Sequence, residues 1–528
     1  MTESANCDYS ISGADIPKES SCTSVHILLG FRCMMQRLCG LACFLAFELI
    51  LFIAVGKMAS EFWMAVIATV LLSILLIILF LFANDTASSI VKDLANRRSV
   101  WLIVQILSLA VLLYVAFSVR VELSWDWGQL IQSAVEYVTK GTISNRAYYA
   151  RYPNNKLWLS LLIGFFQLIK MTFSNATQDT YVCASIALNC IFLLLSMNNI
   201  KRIATLLWGN GWGLIVGLLA SCYIPFYLYS SFAYSDTPGI LISSYAVLVY
   251  VRLMKEQQRS SRFFLASALL GLLLGFLWRI KIMLLIIGVA MIIDAVIFNR
   301  PEGISILSLV IAIIVFFLSG AILSAYSNRY LHITPEESDL YEYPMIHWIM
   351  MSANPDESGG YNTADDLFTR GFGTYQQRKD AASEEFIKRF NALGPLGWTE
   401  HILFVKPSRM WADSTMYGSN YLSRNPIHPH SLLSSLFAYR GALNKWLLII
   451  SWPLHILLLS GMLSSAFQMM TYRDSDVSRV ATISLFGVFV FFLFWECNAR
   501  YLYVFSPMFI LSGVGGVRAI WQALVKSS

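Results

Sequence analysis

Charged residues are scarce in this sequence. They make up 13% of its 528 residues, whereas hydrophobic residues make up 57%, and the mean hydropathy is +0.60. Soluble domains usually carry about a quarter charged residues. The weak alternation in ten-residue segments that marks an outer-membrane barrel is also missing. The composition therefore predicts an all-α polytopic membrane protein.

Several functional motifs are missing as well. There is no glycine–lysine phosphate loop, which argues against an ATP-driven pump. No His/Cys group has the spacing of zinc ligands, and we expect the HPH stretch at 428–430 to form a turn. The apolar segments hold almost no paired ionisable residues, although an ion-coupled transporter needs such groups near mid-membrane. The net charge of +6 lies in short loops, which indicates membrane topology and no nucleic-acid binding.

Cysteine usage and the N-terminus add two expectations. None of the nine cysteines falls between residues 325 and 440, so no disulfide framework is predicted there. The first thirty residues are polar, so no cleaved signal peptide is predicted.

Long apolar runs recur along the chain, and a membrane helix needs about 20 such residues. Twelve spans are predicted: 36–56, 61–84, 99–119, 182–199, 203–222, 237–254, 263–279, 281–298, 304–324, 444–464, 480–497 and 499–516. A thirteenth apolar segment, 156–172, is short.

Basic loops predict the sidedness of these spans, because loops rich in Lys and Arg stay in the cytoplasm. The basic loops are 94–99, 201–202, 255–262, 299–301 and 472–479. With these loops inside, segment 156–172 begins and ends on the outer side, which favours an interfacial or re-entrant helix; a full span with one misassigned neighbour is the alternative.

The same reasoning divides the chain into regions. They are a cytoplasmic tail (1–35), a membrane module (36–324) with an outer loop (120–155) and the interfacial helix (156–172), an extracytoplasmic domain (325–440), and C-terminal membrane helices with a cytoplasmic tail (441–528). In the extracytoplasmic domain, apolar residues at helical spacing predict a helix over 380–393, ended by Gly394 and Pro395.

The charges at helix ends on the predicted outer side are the candidates for chemistry. Asp126 lies in SWDWGQ between two tryptophans of the kind found at membrane interfaces, Asp236 in YSDTPG, Arg279 and Lys281 in WRIK, and Arg500 in WECNAR. Carboxylates can activate a hydroxyl or hold a divalent metal. Arginine and lysine can bind a phosphate. This pattern favours chemistry at the membrane surface.

Each candidate also has a purely structural interpretation. Both acids could cap helices, and the two cations of WRIK could anchor at lipid headgroups. Glu496 and Arg500 are four residues apart, which favours a helical ion pair.

Five stretches together resemble the GT-C superfamily of polyprenyl-phosphate-sugar-dependent membrane glycosyltransferases. The likeness is greatest to glycosyltransferase family 39, which includes protein-mannosyltransferase-like and aminoarabinose-transferase-like enzymes. The stretches are SWDWGQ, YYARYPNNKLWLSLLIGFFQLI (148–169), FAYSDTPGI (232–240), GFLWRIKIMLLI (275–286) and WECNARYLYVFSP (495–507).

The resemblance implies a GT-C-type bundle that transfers a sugar from a polyprenyl-phosphate carrier to a glycan, lipid or protein acceptor. The reaction would occur on the outer face of the cytoplasmic membrane, usually with inversion. Asp126 would be the general base. The implied substrate-binding residues are Tyr152, Asn154, Asp236, Arg279, Lys281, His347, Trp348 and Arg500.

Further implications concern a metal and the outer domain. Asp236 would act through a divalent metal (Mg or Mn) or position the acceptor, and metal use varies in the superfamily. His347, Trp348 and Trp411 would contact the acceptor, although ordinary domain core is the alternative for these rings. Two other functions remain open: a transporter or flippase of lipid-linked sugars, and a polysaccharide polymerase.

Overall fold

The computed structural model describes residues 19–82, 85–255, 261–298, 306–471 and 478–527. Within these ranges the chain is helical, and two extended segments pair only at an isolated bridge between Val121 and Pro426. The prediction of an all-α polytopic membrane protein is confirmed. The GT-C-type arrangement of the helices stays a prediction. Residues 1–18 of the predicted tail and most of the last three predicted basic loops lie outside the described residues.

The first part of the chain, up to residue 330, forms fourteen α-helices among the described residues. They are α1 (Glu19–Glu61), α2 (Trp63–Phe82), α3 (Asp85–Asn96), α4 (Arg98–Ser118), α5 (Trp125–Lys140), α6 (Arg146–Arg151), α7 (Asn155–Thr172), α8 (Gln178–Trp208), α9 (Asn210–Ser221), α10 (Ile224–Leu228), α11 (Asp236–Lys255), α12 (Ser261–Ile280), α13 (Leu285–Ile293) and α14 (Ile306–Tyr330). A 3-10 turn (Ile282–Leu284) precedes α13 and a π-helical turn (Asp294–Phe298) follows it.

The remaining helices are shorter until the chain returns to long apolar segments. They are α15 (Pro335–Tyr341), α16 (Met345–Ser352), α17 (Thr363–Arg370), α18 (Tyr375–Glu400), α19 (Lys406–Trp411), α20 (Gly418–Leu422), α21 (Leu432–Phe437), α22 (Asn444–Thr471), α23 (Ser478–Phe494), α24 (Ala499–Tyr503) and α25 (Ser506–Ser527).

Seven described helices are long and apolar enough to cross a membrane: α1, α4, α8, α11, α12, α14 and α22. Shorter apolar helices cover four more of the predicted spans, at 63–74, 210–221, 282–298 and 478–494. The predicted span 499–516 is divided between α24 and α25. The predicted boundary between the spans 182–199 and 203–222 is also wrong. α8 continues through the expected loop at 201–202 and ends at Gly209, whose φ of 88° suits glycine.

Small residues bring membrane helices into close contact. Gly461 of α22 lies against Gly513 and Gly516 of α25, so a side chain at any of the three would meet the neighbouring backbone. Gly275 of α12 lies in the same way against Ser319 of α14. Close approach at small residues is a common way for membrane helices to gain packing contacts.

The region predicted as an extracytoplasmic domain is helical and partly inserted into the bundle. Its predicted helix is α18, and the predicted end at Gly394 is confirmed by a break with φ of 64°. Residues 325–330 still belong to α14, however, and α19 packs against α1, α23 and α24. This insertion places residues 406–422 next to the turn that carries Arg500.

Candidate functional site

Four of the candidate charges meet at one end of the membrane bundle. Asp126 lies in the first turn of α5, Asp236 in the first turn of α11, Lys281 directly after α12, and Arg500 in α24. Gly128 allows the first of these positions, because a side chain there would clash with the backbone of Leu123. Residues from four separate parts of the sequence thus share one neighbourhood.

Two tyrosines hold the Asp126 carboxylate. Tyr148 Oη donates a hydrogen bond to Oδ1 at 2.8 Å, and Tyr234 Oη lies 3.1 Å from Oδ2. Asn155 connects the two phenols, since its Nδ2 donates to Tyr148 at 2.7 Å and its Oδ1 lies 3.2 Å from Tyr234 Oη. Burial raises the pKa of both phenols, and the nearby Asp126 carboxylate raises it further, so both remain protonated donors. Asp126 itself is half-buried.

Behind this carboxylate lies a buried group of three charges. Lys281 Nζ donates to Asp236 Oδ1, and the Arg500 guanidinium lies 3.9 Å from Asp236 Oδ2. Each of the three residues is less than 10% exposed. One acid and two bases leave a formal charge of +1 in a water-poor place, where a charge is costly without a partner.

Aromatic rings surround the guanidinium of Arg500. Its central carbon lies 5.3 Å from the ring centroids of Trp125 and Tyr234, and 5.5 Å from those of Tyr421 and Tyr501. Cation–π attraction stabilises such an arrangement. Within the described chain, neither Arg500 Nε nor Asp236 Oδ2 has a hydrogen-bond partner. The group therefore retains unused capacity to bind a polar ligand.

Tyr234 joins the two halves of the site. Its hydroxyl contacts Asp126, while its ring lies 5.0 Å from Lys281 Nζ and 5.3 Å from the Arg500 guanidinium. The half-buried carboxylate and the buried cations are consequently separated by a single tyrosine side chain.

Two predicted substrate-binding residues lie elsewhere. Arg279 donates to the Gly320 carbonyl at 2.8 Å and covers the Trp278 ring, so it connects α12 to α14. Asn154 precedes α7 and contacts only the side chain of Asn155 among the described hydrogen bonds. A residue close by in sequence faces the site in each case, Lys281 two positions after Arg279 and Asn155 directly after Asn154, because nearby positions on a turn or helix point in different directions.

The predicted capping and interface roles need correction too. Ser124 occupies the N-cap position of α5, so Asp126, which lies two residues later, is not the cap. Trp127 is 1% exposed and packs edge-on against Phe232, so it is a core residue and no interface anchor. Only Trp125 of that pair reaches the charged group.

Tyr152 and Trp348 extend the site, whereas His347 does not face it. The Tyr152 ring lies 5.0 Å from that of Tyr148 and 6.1 Å from that of Trp348. His347 is fully buried beside Thr369, with Nδ1 and Oγ1 at 2.7 Å, and burial lowers its pKa to about 4. Trp411 is 1% exposed, so it belongs to the core and offers no face for stacking on a sugar.

The predicted helical ion pair between Glu496 and Arg500 is wrong. Residues 496–498 are not helical, and Glu496 accepts a hydrogen bond from Tyr501 at 2.5 Å. Lys406 fixes the start of this turn, since its Nζ donates to the carbonyls of Leu493 at 2.8 Å and Trp495 at 3.0 Å. Burial lowers the pKa of Lys406 to about 8.

The surroundings of Asp236 do not fit a divalent metal. A metal needs several oxygen ligands, whereas the Asp236 carboxylate already faces an ammonium and a guanidinium. Among the described residues no group of three or more His, Cys, Asp or Glu side chains could hold a metal. The Lys281 ammonium and the Arg500 guanidinium instead occupy the place that the metal was expected to take.

A buried ion pair outside this site also escaped the sequence analysis. Asp294, in the π-helical turn, accepts from Arg479 of α23 at 2.9 Å and from Tyr250 of α11 at 2.8 Å. Asp294 is fully buried. The expectation that the apolar segments hold almost no acid–base pairs is therefore wrong at this position.

Sequence reasoning missed Tyr148, Tyr234, Asn155 and Tyr421. The first three lie inside or beside stretches already singled out, so a search for polar neighbours of the candidate acids could have found them. Tyr421 had no such signal, because it reaches Arg500 only through the packing of α20.

Comparison with known proteins gives a family. The model of a family described as conserved hypothetical integral membrane proteins matches residues 55–515, and the chain belongs to that family. No curated protein matches the sequence.

Proposed function

We propose that this integral membrane protein is a glycosyltransferase that moves a sugar from a polyprenyl-phosphate carrier to an acceptor hydroxyl. Asp126 acts as the general base, and Lys281 and Arg500 bind the carrier phosphate. The proposed site faces the outside of the cytoplasmic membrane, in keeping with the positive-inside pattern of the sequence. The acceptor is a glycan, a lipid or a protein.

The proposed reaction forms one bond and breaks one. The acceptor oxygen bonds to the anomeric carbon of the sugar while the bond from that carbon to the carrier phosphate oxygen breaks. The acceptor proton passes to the Asp126 carboxylate. The negative charge that develops on the departing phosphate is stabilised by the two cations, and such fixed charges are among the strongest contributors to catalysis.

One observation carries the proposal: Tyr234 places the Asp126 carboxylate next to a buried group with a surplus positive charge. A base and an anion-binding site on either side of one tyrosine side chain suit a reaction in which a hydroxyl attacks and a phosphate leaves. Asp236 then has the role of orienting Lys281 and Arg500, with no metal.

A transporter of lipid-linked sugars is the second candidate, because of the Asp294–Arg479 pair. Buried ionisable residues within membrane helices often belong to transport pathways. Asp294→Asn distinguishes the two functions: it should abolish movement of a lipid-linked sugar across vesicles if the protein is a transporter, and leave sugar transfer intact if it is a glycosyltransferase.

Arg500 and Arg279 provide a matched test of the enzyme. We would measure release of polyprenyl phosphate from a panel of lipid-linked sugars by purified protein, with thermal stability measured in parallel. Arg500→Met should lower the rate by about a hundredfold or more, as expected when a charge-stabilising donor is removed. Arg279→Met removes an arginine that lies outside the site and should retain nearly the wild-type rate. Equal losses in both variants would contradict the assignment of the phosphate site, and no release from any donor by the wild type would contradict the proposed activity.

A further inference from the structure

Two aromatic side chains cover Arg500. The rings of Trp125 and Tyr421 lie 4.6 Å apart and are both within 5.5 Å of the guanidinium carbon. Tyr421 is 5% exposed and Arg500 is 8% exposed. Because the two rings lie over a guanidinium that is almost fully buried, a phosphate that approaches from their side has to displace one of them.

Backbone strain is concentrated around this cover. Six non-glycine residues in the described chain have a positive φ, and five of them are Trp125 itself or lie within residues 416–440: Trp125 at 43°, Met416 at 50°, Tyr417 at 66°, Asn425 at 51° and Arg440 at 60°. Side chains other than glycine rarely adopt this conformation, and it persists only where the surrounding structure enforces it. Such strain often accompanies segments that change conformation.

Residues 418–439, between two of these strained positions, form a closed unit. The Tyr439 amide donates to the Ser419 carbonyl at 2.9 Å, and Ser423 Oγ donates to the Tyr439 carbonyl at 3.2 Å. These bonds join the two ends of the segment, so the segment can move without losing its internal contacts. Tyr417 precedes it and Arg440 follows it.

One backbone bridge connects this unit to the segment that carries Asp126, in addition to the contact between the Trp125 and Tyr421 rings. Val121 pairs with Pro426, and the flanking bonds are Glu122 N to Asn425 O at 3.0 Å and Ile427 N to Arg120 O at 2.9 Å. Opening has to break these two hydrogen bonds together with the contacts of α20 with α10 and of α21 with α4 and α22.

The contact between the unit and α4 is incomplete. α21 touches α4, but a cavity of about 550 Å³ lies beside this contact, lined by Leu113, Tyr114, Phe117, Ser118, His428 and Ser431. α4 is one of the two least buried of the candidate membrane spans, so its exposed apolar side chains face lipid. The gap therefore opens towards the membrane.

We propose that residues 418–439 are a lid, hinged at Tyr417 and Arg440 and latched by the Val121–Pro426 bridge. Opening carries Tyr421 away from Arg500 and admits the anionic headgroup of a membrane lipid from the α4 side. The nature of the headgroup rests on the proposed function, but the motion of the lid does not.

A disulfide across the latch tests the motion. The bonds on either side make Val121 and Pro426 a pair without mutual hydrogen bonds, whose Cα atoms lie about 4.5 Å apart in antiparallel strands, within the range for a disulfide. Val121→Cys with Pro426→Cys would be oxidised, and formation of the disulfide checked by peptide mass spectrometry. The rate at which phenylglyoxal modifies Arg500 is then measured, with the exposed Arg97 as internal reference.

We expect Arg500 in the oxidised protein to react at least about tenfold more slowly than in the reduced protein, because a locked lid removes the open molecules that react. The reduced protein should match the wild type, and Arg97 should react equally in all samples. Equal rates for Arg500 in both forms would overturn the lid. So would a reduced protein in which Arg500 never reacts. Since no sugar donor is used, these outcomes are independent of the proposed activity.

A pair of lid variants provides a second test. Arg440→Val forces a β-branched residue to adopt a φ near 60°, which should favour opening and raise the modification rate of Arg500 by roughly threefold or more. Leu432→Val places the same β-branched residue at an exposed lid position whose φ is not positive, and should leave the rate unchanged. An equal effect of both variants would contradict a hinge at Arg440.

Discussion

The charge count of the buried group predicts an unequal response to the removal of its members. Asp236 faces both Lys281 and Arg500. Asp236→Asn leaves two buried cations without the one carboxylate that contacts them, and breaking a buried ion pair typically costs about 3–5 kcal/mol. Lys281→Met leaves Asp236 with Arg500 as its partner, so the buried charge becomes balanced. We therefore expect Lys281→Met to lower the free energy of unfolding by less than about half as much as Asp236→Asn does.

The change in the free energy of unfolding of both variants is measured by reversible unfolding of the purified protein in mixed micelles. Asp179→Asn is the control, because it breaks an ion pair with Arg120 at the surface, where the acid side chain is 66% exposed. That substitution should lower the free energy of unfolding by less than about 1 kcal/mol. The double variant of Asp236→Asn with Lys281→Met should recover part of the stability lost by Asp236→Asn alone. If Lys281→Met proves as destabilising as Asp236→Asn, the surplus positive charge at this site is refuted.

Three further predictions concern other residues. The pKa of His347 is about 4 in the folded protein, below its ordinary value, so the stability that His347 contributes is present above about pH 6.5 and is lost as the pH falls towards 4. His347→Gln should flatten the stability profile in that window, as urea titrations at several pH values would show. Gly461→Ala should destabilise the protein by about 1–3 kcal/mol because it meets α25, whereas Gly56→Ala, in open space on α1, should stabilise it by about 0.5–1 kcal/mol; the reverse order would contradict the close crossing of α22 and α25. Tyr234→Phe removes a hydrogen bond to a carboxylate and should lower the transfer rate roughly tenfold, and an unchanged rate would exclude a role for that hydroxyl in holding Asp126.

Membrane helices were predictable from this sequence because their signal is local. A run of about 20 apolar residues has to be a helix in lipid, whatever it packs against. The break at Gly209 was misplaced because charge, at Lys201 and Arg202, was taken to mark a loop. Helix ends depend on the backbone conformation, and Gly209 with its positive φ was the better signal.

The site was predictable only in part, because its members come from distant parts of the chain. Asp126, Asp236, Lys281 and Arg500 were found from their position at helix ends, which is a sequence property. The direction in which a side chain points from a turn cannot be read from the sequence. Arg279 faces α14, although it lies only two residues from Lys281. Tyr421 belongs to the site through tertiary packing alone, and the sequence around it carries no sign of that.

Replacement of Asp126 by asparagine tests the central claim most directly. Asn has nearly the same shape as Asp, so the contacts with Tyr148 and Tyr234 can persist while the basic oxygen is lost. The measurement is polyprenyl phosphate release from the lipid-linked sugar that the wild type uses, at equal thermal stability of the two proteins. We expect the rate to fall by about a hundredfold or more, as for the loss of a general base. Full activity in Asp126→Asn would contradict this account.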